Sequence, residues 1–314
     1  MLANDALSAI GNTPLVRLRG FEPENGAEIW LKLEGGNPTG SFKDRMAAAV
    51  LGRALERGDL RPGDRVVEYT GGSTGTALAF VSAVLGLRFT AVFSDAFSES
   101  KRLAMEAFGA QVLVEPSEGG RITPELIARM KARAYALADE PDSFYADQFG
   151  SPDVRAGYEP MGREIADDLG GGIDLLVAAV GTGAALMGTA DGLRAAGVDP
   201  AVIALEPLQS PLLTTGKGGP HRVEGIGVGF EPPFLDRSQL QDIRAIDEET
   251  AFAMCRRLAR EAGVFCGGST GLNVAAAIEL ARELGPGKRI VTLGCDNGAK
   301  YLGGHIHAGP IKDG

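Results

Sequence analysis

The amino-acid sequence predicts an α/β protein built on parallel β-sheet. Short runs rich in β-branched residues alternate with longer segments of helical periodicity, which is typical of parallel strands joined by helices. The runs VVEY at 66–69 and LLVAAV at 175–180 are almost continuously apolar, as expected for strands covered on both faces. At 314 residues the chain is long enough for two domains.

The individual elements follow from the same alternation. We expect strands at Glu28–Leu33, Arg65–Tyr69, Phe89–Phe93, Gln111–Val114, Asp174–Val180, Ala201–Leu205 and Arg289–Leu293. We expect helices at Asp44–Arg57, Gly75–Leu85, Glu99–Phe108, Pro124–Ala138, Gly183–Ala195, Glu248–Ala262 and Leu272–Leu284. The Gly- and Pro-rich stretch from Pro207 to Pro233 is expected to be irregular.

The acidic composition limits the partners of this chain. With 31 Lys and Arg against 41 Asp and Glu, the net charge is −10, which argues against general binding to nucleic acid or anionic membrane. No run of about 18 apolar residues and no secretory signal pattern appears, so we expect a cytoplasmic protein. The three cysteines form no CxxC pair, so neither a disulfide framework nor a metal site is expected.

Glycine-rich turns precede three of the predicted helices. They read TGGSTG from Thr70, GTGAA from Gly181 and GGSTG from Gly267. The first amides of a helix have no partner within it and the helix dipole is positive there, so such turns favour anions. In an open parallel sheet they lie at the carboxyl ends of strands, where ligands bind. A single turn of this kind is often only a tight connection, but three favour a ligand site.

The sequence narrows the identity of the anion. A P-loop lysine motif is absent, and the dinucleotide pattern G-x-G-x-x-G fails because Leu186 stands at its third glycine. Glu206, however, ends the strand after the following helix, about where a ribose-binding acid would lie. An NAD-dependent oxidoreductase therefore remains an alternative at this point.

Lys43 falls at the start of a predicted helix. The preceding segment NPTGS, from Asn37, contains turn and cap residues. Most lysines lie on a solvated surface, but a lysine at this end opposes the helix dipole, which favours acids there. Positive potential and partial burial favour a neutral amine, which Schiff-base chemistry requires.

Five segments carry a family resemblance. In chain order they are IGNTPLVRL from Ile10, NPTGSFKDR from Asn37, EPLQSPLLTTGKGGPHRVEGIGVGFEPPFLD from Glu206, CGGSTG from Cys266 and DNGAKYL from Asp296. Together they resemble the cysteine synthase and cystathionine β-synthase family, the fold type II pyridoxal-phosphate enzymes. The resemblance implies a tryptophan-synthase-β-like fold of two α/β domains. The smaller would span 36–150, and the larger 12–35 plus 151–314.

The resemblance also implies the cofactor, pyridoxal 5'-phosphate, and the residues that bind it. Lys43 would hold the cofactor as a Schiff base and Ser269 would hydrogen-bond its pyridine nitrogen. The phosphate would be bound by Gly181, Thr182, Gly183, Ala184 and Ala185. The substrate carboxylate would meet Thr70, Gly71, Gly72, Ser73, Thr74 and Gln148, with Ser73 also contacting the cofactor and Gly225 lying beside its open face.

The chain departs from the family pattern at these loops. Members usually read Thr-Ser-Gly-Asn-Thr-Gly, so Gly71 lacks a hydroxyl and Ser73 replaces an asparagine that contacts the phenolic oxygen of the cofactor. The phosphate loop usually reads Gly-Thr-Gly-Gly-Thr, so Ala184 replaces a glycine and Ala185 lacks another hydroxyl. Backbone donors can still bind the phosphate, so the cofactor is better determined than the substrate.

The family default is β-replacement on a small amino acid, with O-acetylserine and sulfide yielding cysteine and acetate. Net elimination, as in serine or threonine dehydratases and cysteine desulfhydrases, is an alternative that shares every cofactor residue. A binding or regulatory protein that keeps the fold without turnover is another. By resemblance the protein would be a homodimer.

Overall fold

The computed structural model describes residues 5–307, which form two compact units. The first comprises residues 43–157 with the described residues up to Ile10, and the second comprises residues 11–42 and 158–307. Each unit contains one β-sheet with helices packed on it. The predicted smaller domain, 36–150, overlaps the first unit and the predicted larger domain overlaps the second, while the domain boundaries themselves stay a prediction.

The secondary structure follows the chain in this order. The strands are β1 (Leu15–Arg17), β2 (Glu28–Leu33), β3 (Arg65–Tyr69), β4 (Arg88–Ser94), β5 (Gln111–Glu115), β6 (Ser143–Tyr145), β7 (Leu175–Ala179), β8 (Ala201–Pro207), β9 (Asp242–Ile246) and β10 (Arg289–Gly294). The helices are α1 (Lys43–Arg57), α2 (Ser73–Leu85), α3 (Glu99–Ala107), α4 (Pro124–Ala138), α5 (Pro152–Ala156), α6 (Glu159–Leu169), α7 (Ala184–Ala195), α8 (Leu212–Thr215), α9 (Glu248–Ala262) and α10 (Gly268–Leu284).

The sheet of the first unit is entirely parallel, in the order β5-β4-β3-β6. Every residue of β4 after Arg88 is buried, so both faces of this strand are covered. Helices α2 and α4 pack on β3 and β4. Because the strands are parallel, the segments that follow β3, β4 and β6 leave the sheet at one edge.

The sheet of the second unit has the order β1-β2-β10-β7-β8-β9. Only β1 runs antiparallel to its neighbour; the other pairs are parallel. Helix α10 is buried along nearly its whole length and packs on β7 and β10. With two mostly parallel sheets flanked by helices, the predicted α/β fold class is confirmed.

The side chain of Asn273 links α10 by hydrogen bonds to β7 and β10, the two central strands of this sheet. Its side chain is completely buried, and its Oδ1 accepts the amide of Ala179 on β7 (2.7 Å). Its Nδ2 donates to the carbonyl of Leu293 on β10 (2.7 Å). One side chain therefore satisfies a buried donor and a buried acceptor on two strands.

Helices α6 and α7 cross at glycines. A Cβ atom on Gly162 would lie 2.1 Å from the carbonyl oxygen of Thr189, and one on Gly192 would lie 2.0 Å from that of Glu159. Both distances are far below van der Waals contact, so the crossing requires two residues without side chains. The sequence did not reveal this contact, since α6 was not predicted.

Every predicted strand and helix is present, with ends within a few residues of those expected. Strands β1, β6 and β9 and helices α5, α6 and α8 were missed. The stretch 207–233 is irregular except for the end of β8 and the short α8. Among residues 5–307, no helix is both long and apolar enough to cross a membrane.

Replacing Asn273 by leucine is expected to lower the free energy of unfolding of the second unit by about 2–4 kcal/mol, because two backbone groups would remain buried without partners. Urea unfolding followed by the fluorescence of Trp30 measures this directly, since Trp30 is the only tryptophan of the chain and lies on β2, beside β10.

The matched control is Glu279→Gln, at an exposed position of the same helix, which should leave the urea midpoint unchanged. An Asn273→Leu midpoint equal to that of the unchanged protein would contradict the role assigned to this amide.

Candidate active site

Lys43 is the first residue of α1, and its side chain is half-buried. The next two residues, Asp44 and Arg45, are buried. Phe42, which precedes Lys43 directly, belongs to the second unit and donates its backbone N–H to the carbonyl of Cys295 there (3.0 Å). The residue before Lys43 is therefore hydrogen-bonded within the second unit, whereas the two residues after it are buried in the first unit.

The loop that follows β3 is shaped by its own threonines. The hydroxyl oxygen of Thr70 accepts the amides of Gly72 (3.2 Å) and Gly75 (3.1 Å). The hydroxyl of Thr74 donates to Oε1 of Gln148 (2.8 Å), which follows β6. The structure thus brings together the predicted substrate loop and the predicted glutamine, two segments that lie far apart in sequence.

Two residues that sequence reasoning missed pack on this loop. A Cβ atom on Gly71 would lie 2.5–2.8 Å from the ring of Phe97, and one on Gly72 would lie 3.0–3.1 Å from the end of the Lys101 side chain. The aromatic ring therefore fills the space that a residue larger than glycine would need at Gly71. Phe97 and Lys101 follow β4, the parallel neighbour of β3. Because segments that follow adjacent parallel strands lie at the same edge of a sheet, the order of the strands could have indicated both residues.

Glu68, the residue before the last of β3, is a second group that was missed. Its side chain is completely buried. The carboxylate accepts the amide of Gln148 at Oε2 (2.9 Å) and, at Oε1, the amide of Tyr69 (3.0 Å) and the hydroxyl of Tyr145 (3.3 Å). Burial and the negative charge of Asp147 outweigh these hydrogen bonds and raise the pKa of Glu68 to about 8.

In the second unit, glycines shape the turn after β7. A Cβ atom on Gly181 would lie 2.3 Å from the carbonyl oxygen of Gly225, and one on Gly183 would lie 2.7 Å from the amide nitrogen of Leu235. Gly183 also has φ of +85°, in the left-handed region that favours glycine. Two of the predicted site residues, Gly181 and Gly225, are thus in direct backbone contact.

The remaining residues of this turn lie at the start of α7 and form its first hydrogen bonds. The Thr182 hydroxyl oxygen accepts the amide of Ala184, the first residue of the helix (3.3 Å). The carbonyl of Ala185 accepts the hydroxyl of Thr189, one turn further along (2.6 Å). Neither alanine brings a polar side chain to this end of α7, so binding there depends on backbone amides.

Ser269 lies at the start of α10 and is buried. The hydroxyl of the next residue, Thr270, accepts the amide of Cys295, which directly follows β10 (3.0 Å). A Cβ atom on Gly267 would lie 2.3 Å from the ring of Tyr301. These contacts hold the start of α10 at the carboxyl end of β10, one of the two central strands of the sheet.

The three glycine-rich turns share one property. Helices α2, α7 and α10 have the N-cap residues Gly72, Gly183 and Gly267, which have no side chain to cap the first amides. By contrast, α4 and α9 are capped by Thr123 and Asp247, whose side chains accept amides of the first turn. Neighbouring threonines bind the amides of Gly75 in α2 and Ala184 in α7, so an anion at either helix would be bound by the other amides of the first turn.

Glu206, on which the NAD alternative depended, is engaged elsewhere. It is buried and accepts the amides of Leu213 (2.7 Å) and Thr214 (2.9 Å) together with the Thr214 hydroxyl (2.7 Å). Its carboxylate binds the start of α8 and is not available to a ribose. Glu206 therefore gives no support to the alternative of an NAD-dependent oxidoreductase.

These residues fit pyridoxal phosphate by their chemistry. Backbone amides at the start of α7 suit a phosphate, and a buried hydroxyl at Ser269 suits a pyridine nitrogen. In the first unit, Lys43 supplies a primary amine for the aldehyde. The Thr70–Gly75 loop has amides and hydroxyls suited to a carboxylate.

Comparison with known proteins agrees with this fit. A family model described as pyridoxal-phosphate dependent enzyme matches residues 6–296. Cysteine synthase of Staphylococcus aureus is 37% identical over 295 residues, covering 93% of each chain. O-ureido-L-serine synthase of Streptomyces lavendulae is 38% identical over 304 residues, covering 96% of this chain and 91% of the relative.

A solved structure extends the similarity to three dimensions. Cysteine synthase from Entamoeba histolytica superposes with a TM-score of 0.91 at 32% identity, covering 100% of this chain and 93% of the other. The sequence match and the shared fold thus span nearly the whole of both chains. The chain therefore belongs to the pyridoxal-phosphate-dependent enzymes of the cysteine synthase kind, and its cofactor is pyridoxal 5'-phosphate.

Proposed function

We propose that this enzyme catalyses β-replacement, with a donor of the O-acetylserine type and sulfide or another nucleophile. The proposal rests on the two relatives cysteine synthase and O-ureido-L-serine synthase, which match 93% and 96% of this chain. Both are named for a product that is a β-substituted alanine. Cysteine carries sulfur on the β-carbon and O-ureido-L-serine carries oxygen. The shared reaction is thus attachment of a nucleophile to that carbon.

Lys43 is assigned the central role. Its Nζ would hold the cofactor through the aldehyde, and the same amine would accept the α-proton of the substrate as general base. When bound, pyridoxal phosphate supplies the electron sink that makes this proton acidic. Residues 181–185 would bind the phosphate through their backbone amides, and the Ser269 hydroxyl would hydrogen-bond the pyridine nitrogen. A neutral hydroxyl there leaves that nitrogen largely unprotonated, which suits departure of a β leaving group.

The Thr70–Thr74 loop and Gln148 are assigned to the substrate carboxylate, and Gly225 to the open face of the cofactor. Ser73 also contacts the cofactor. At Gly71 the chain lacks a hydroxyl, and Phe97 occupies the adjacent space. We infer that the substrate carboxylate is bound mainly by backbone amides of this loop, because the Thr74 hydroxyl donates to Gln148.

The resemblance further supports a cytoplasmic homodimer. Elimination to a keto acid differs from replacement only in what captures the intermediate, so the same residues serve both reactions.

The function is tested by incubating the holoenzyme with O-acetylserine and either sulfide or hydroxyurea, and identifying products by mass spectrometry. We expect acetate together with cysteine or O-ureidoserine. Pyruvate as the main product without an added nucleophile would make the enzyme an eliminase, and no acetate from either mixture would overturn the proposed donor.

The role of Lys43 is tested by borohydride reduction. Reduction should fix a pyridoxyl phosphate group on the peptide that contains Lys43. In Lys43→Ala that label should be absent and turnover should fall by about 10²–10⁴-fold, the range lost with a general base. Lys217→Ala, at an exposed lysine, should retain both label and activity. Labelling at another lysine would contradict the assignment.

The phosphate turn is tested by Gly181→Ala. The new methyl group would meet the Gly225 carbonyl at 2.3 Å and displace the turn. A displacement costing about 1–3 kcal/mol would raise the Kd for pyridoxal phosphate by roughly ten- to a hundredfold.

Equilibrium dialysis of the apoenzyme measures that constant. Gly20→Ala is the control, because nothing lies within 4 Å of a Cβ atom at that exposed glycine. Equal cofactor affinity in Gly181→Ala and Gly20→Ala would exclude this turn as the phosphate site.

A further inference from the structure

Glu68 has surroundings unusual for a charged residue. It is completely buried at the end of β3, two residues before the Thr70–Gly75 loop. The groups with charge or titratable protons that influence it are Asp147, which is negative, and the phenols of Tyr69 and Tyr145. Burying a carboxylate without an opposite charge is costly unless hydrogen bonds satisfy it, so this position calls for a reason.

The hydrogen bonds of Glu68 lead to Gln148. Oε2 of the carboxylate accepts the Gln148 amide at 2.9 Å, although the two residues are 80 positions apart in sequence. Oε1 accepts the amide of Tyr69 at 3.0 Å and the hydroxyl of Tyr145 at 3.3 Å. Since Gln148 lies beyond the end of β6, the bond to Glu68 fixes its backbone next to β3.

The side chain of Gln148 continues the network to the substrate loop. Its Nε2 donates to the carbonyl of Tyr69 (3.1 Å), and its Oε1 accepts the hydroxyl of Thr74 (2.8 Å). The buried carboxylate thus holds the backbone of Gln148, and the Gln148 amide holds Thr74. Each link is a direct hydrogen bond within the first unit.

We propose that Glu68 is a positioning residue that holds Gln148 and Thr74 in the geometry that receives the α-carboxylate of the amino acid substrate. This inference rests on the proposed function, which makes that loop the carboxylate site. Glu68 does not touch the substrate in this assignment and acts only through Gln148.

The charged form of Glu68 accepts all three donors and has no hydrogen of its own that needs an acceptor. Glutamine has the same size but presents an NH₂ group where an oxygen is needed, and a protonated carboxyl likewise places a hydrogen on one oxygen. Burial also raises the pKa values of the Tyr69 and Tyr145 phenols, so these neighbours stay neutral while Glu68 titrates. Tyr135 on α4, whose ring contacts that of Tyr145 edge-on, is a further titratable group on this side.

The test compares Glu68→Gln with the unchanged holoenzyme by titrating L-alanine, which has no leaving group, and following the cofactor absorbance. At pH 9, Glu68→Gln should raise the Kd for L-alanine about tenfold, as expected when a buried donor loses its acceptor. With a donor amino acid, KM should rise similarly while kcat and the cofactor content change little.

The pH dependence separates positioning from a merely structural role. Because the pKa of Glu68 is raised to about 8, the unchanged enzyme carries a protonated Glu68 at pH 6.5 and resembles the glutamine variant. The ratio of the two Kd values should therefore approach one at pH 6.5 and grow as the pH rises through 8. A ratio near one at every pH in this range, including pH 9, would overturn the proposal.

A double substitution tests whether Glu68 acts through Gln148. Gln148→Ala alone should raise the Kd, and adding Glu68→Gln to it should cause little further change. Additive effects, or an unchanged Kd in Gln148→Ala, would overturn the relay whether or not Glu68→Gln folds well. Glu115→Gln, on β5 where Glu115 pairs with Arg133, is the matched control. Since binding of L-alanine requires no turnover, a failure of the replacement reaction would leave this comparison intact.

Discussion

The structure depends on how three helices begin, because α2, α7 and α10, to which the proposed function assigns ligand binding, all have glycine at the N-cap. A glycine there lacks the side-chain cap by which Ser, Thr or Asp would stabilise the helix. The turns are instead stabilised from outside. Thr70 organises its own loop, and backbone contacts between Gly181 and Gly225 hold another.

The same logic explains why polar groups are buried beneath these turns. Asn273 and Glu68 each lie at the carboxyl end of a parallel sheet and each satisfies backbone groups of neighbouring strands or loops. A neutral amide suffices where one donor and one acceptor must be matched. Where three donors converge, as at Glu68, a carboxyl group offers two oxygens that can accept them.

Burial explains what the sequence could and could not predict. Central strands were found because residues covered on both faces form apolar runs, whereas β1, β6 and β9 all lie at sheet edges and are largely half-buried. Glycine turns and Lys43 could be identified from local pattern and family resemblance. Glu68 reads as one polar residue within an apolar strand, and its partner lies 80 residues away, so only the folded chain connects them.

The position of the turn before α7, which we propose binds the phosphate, depends on the distant glycine crossing of α6 and α7. At about 1.5 Å per residue, Gly192 lies roughly 13 Å along α7 from Gly183. Because a helix is stiff along its axis, the contact between bare backbones at Gly162 and Gly192 fixes how far α7 extends toward the turn that we propose binds the phosphate. Among chains of this fold, cofactor retention can therefore diverge through changes in residue volume at a crossing that never approaches the ligand.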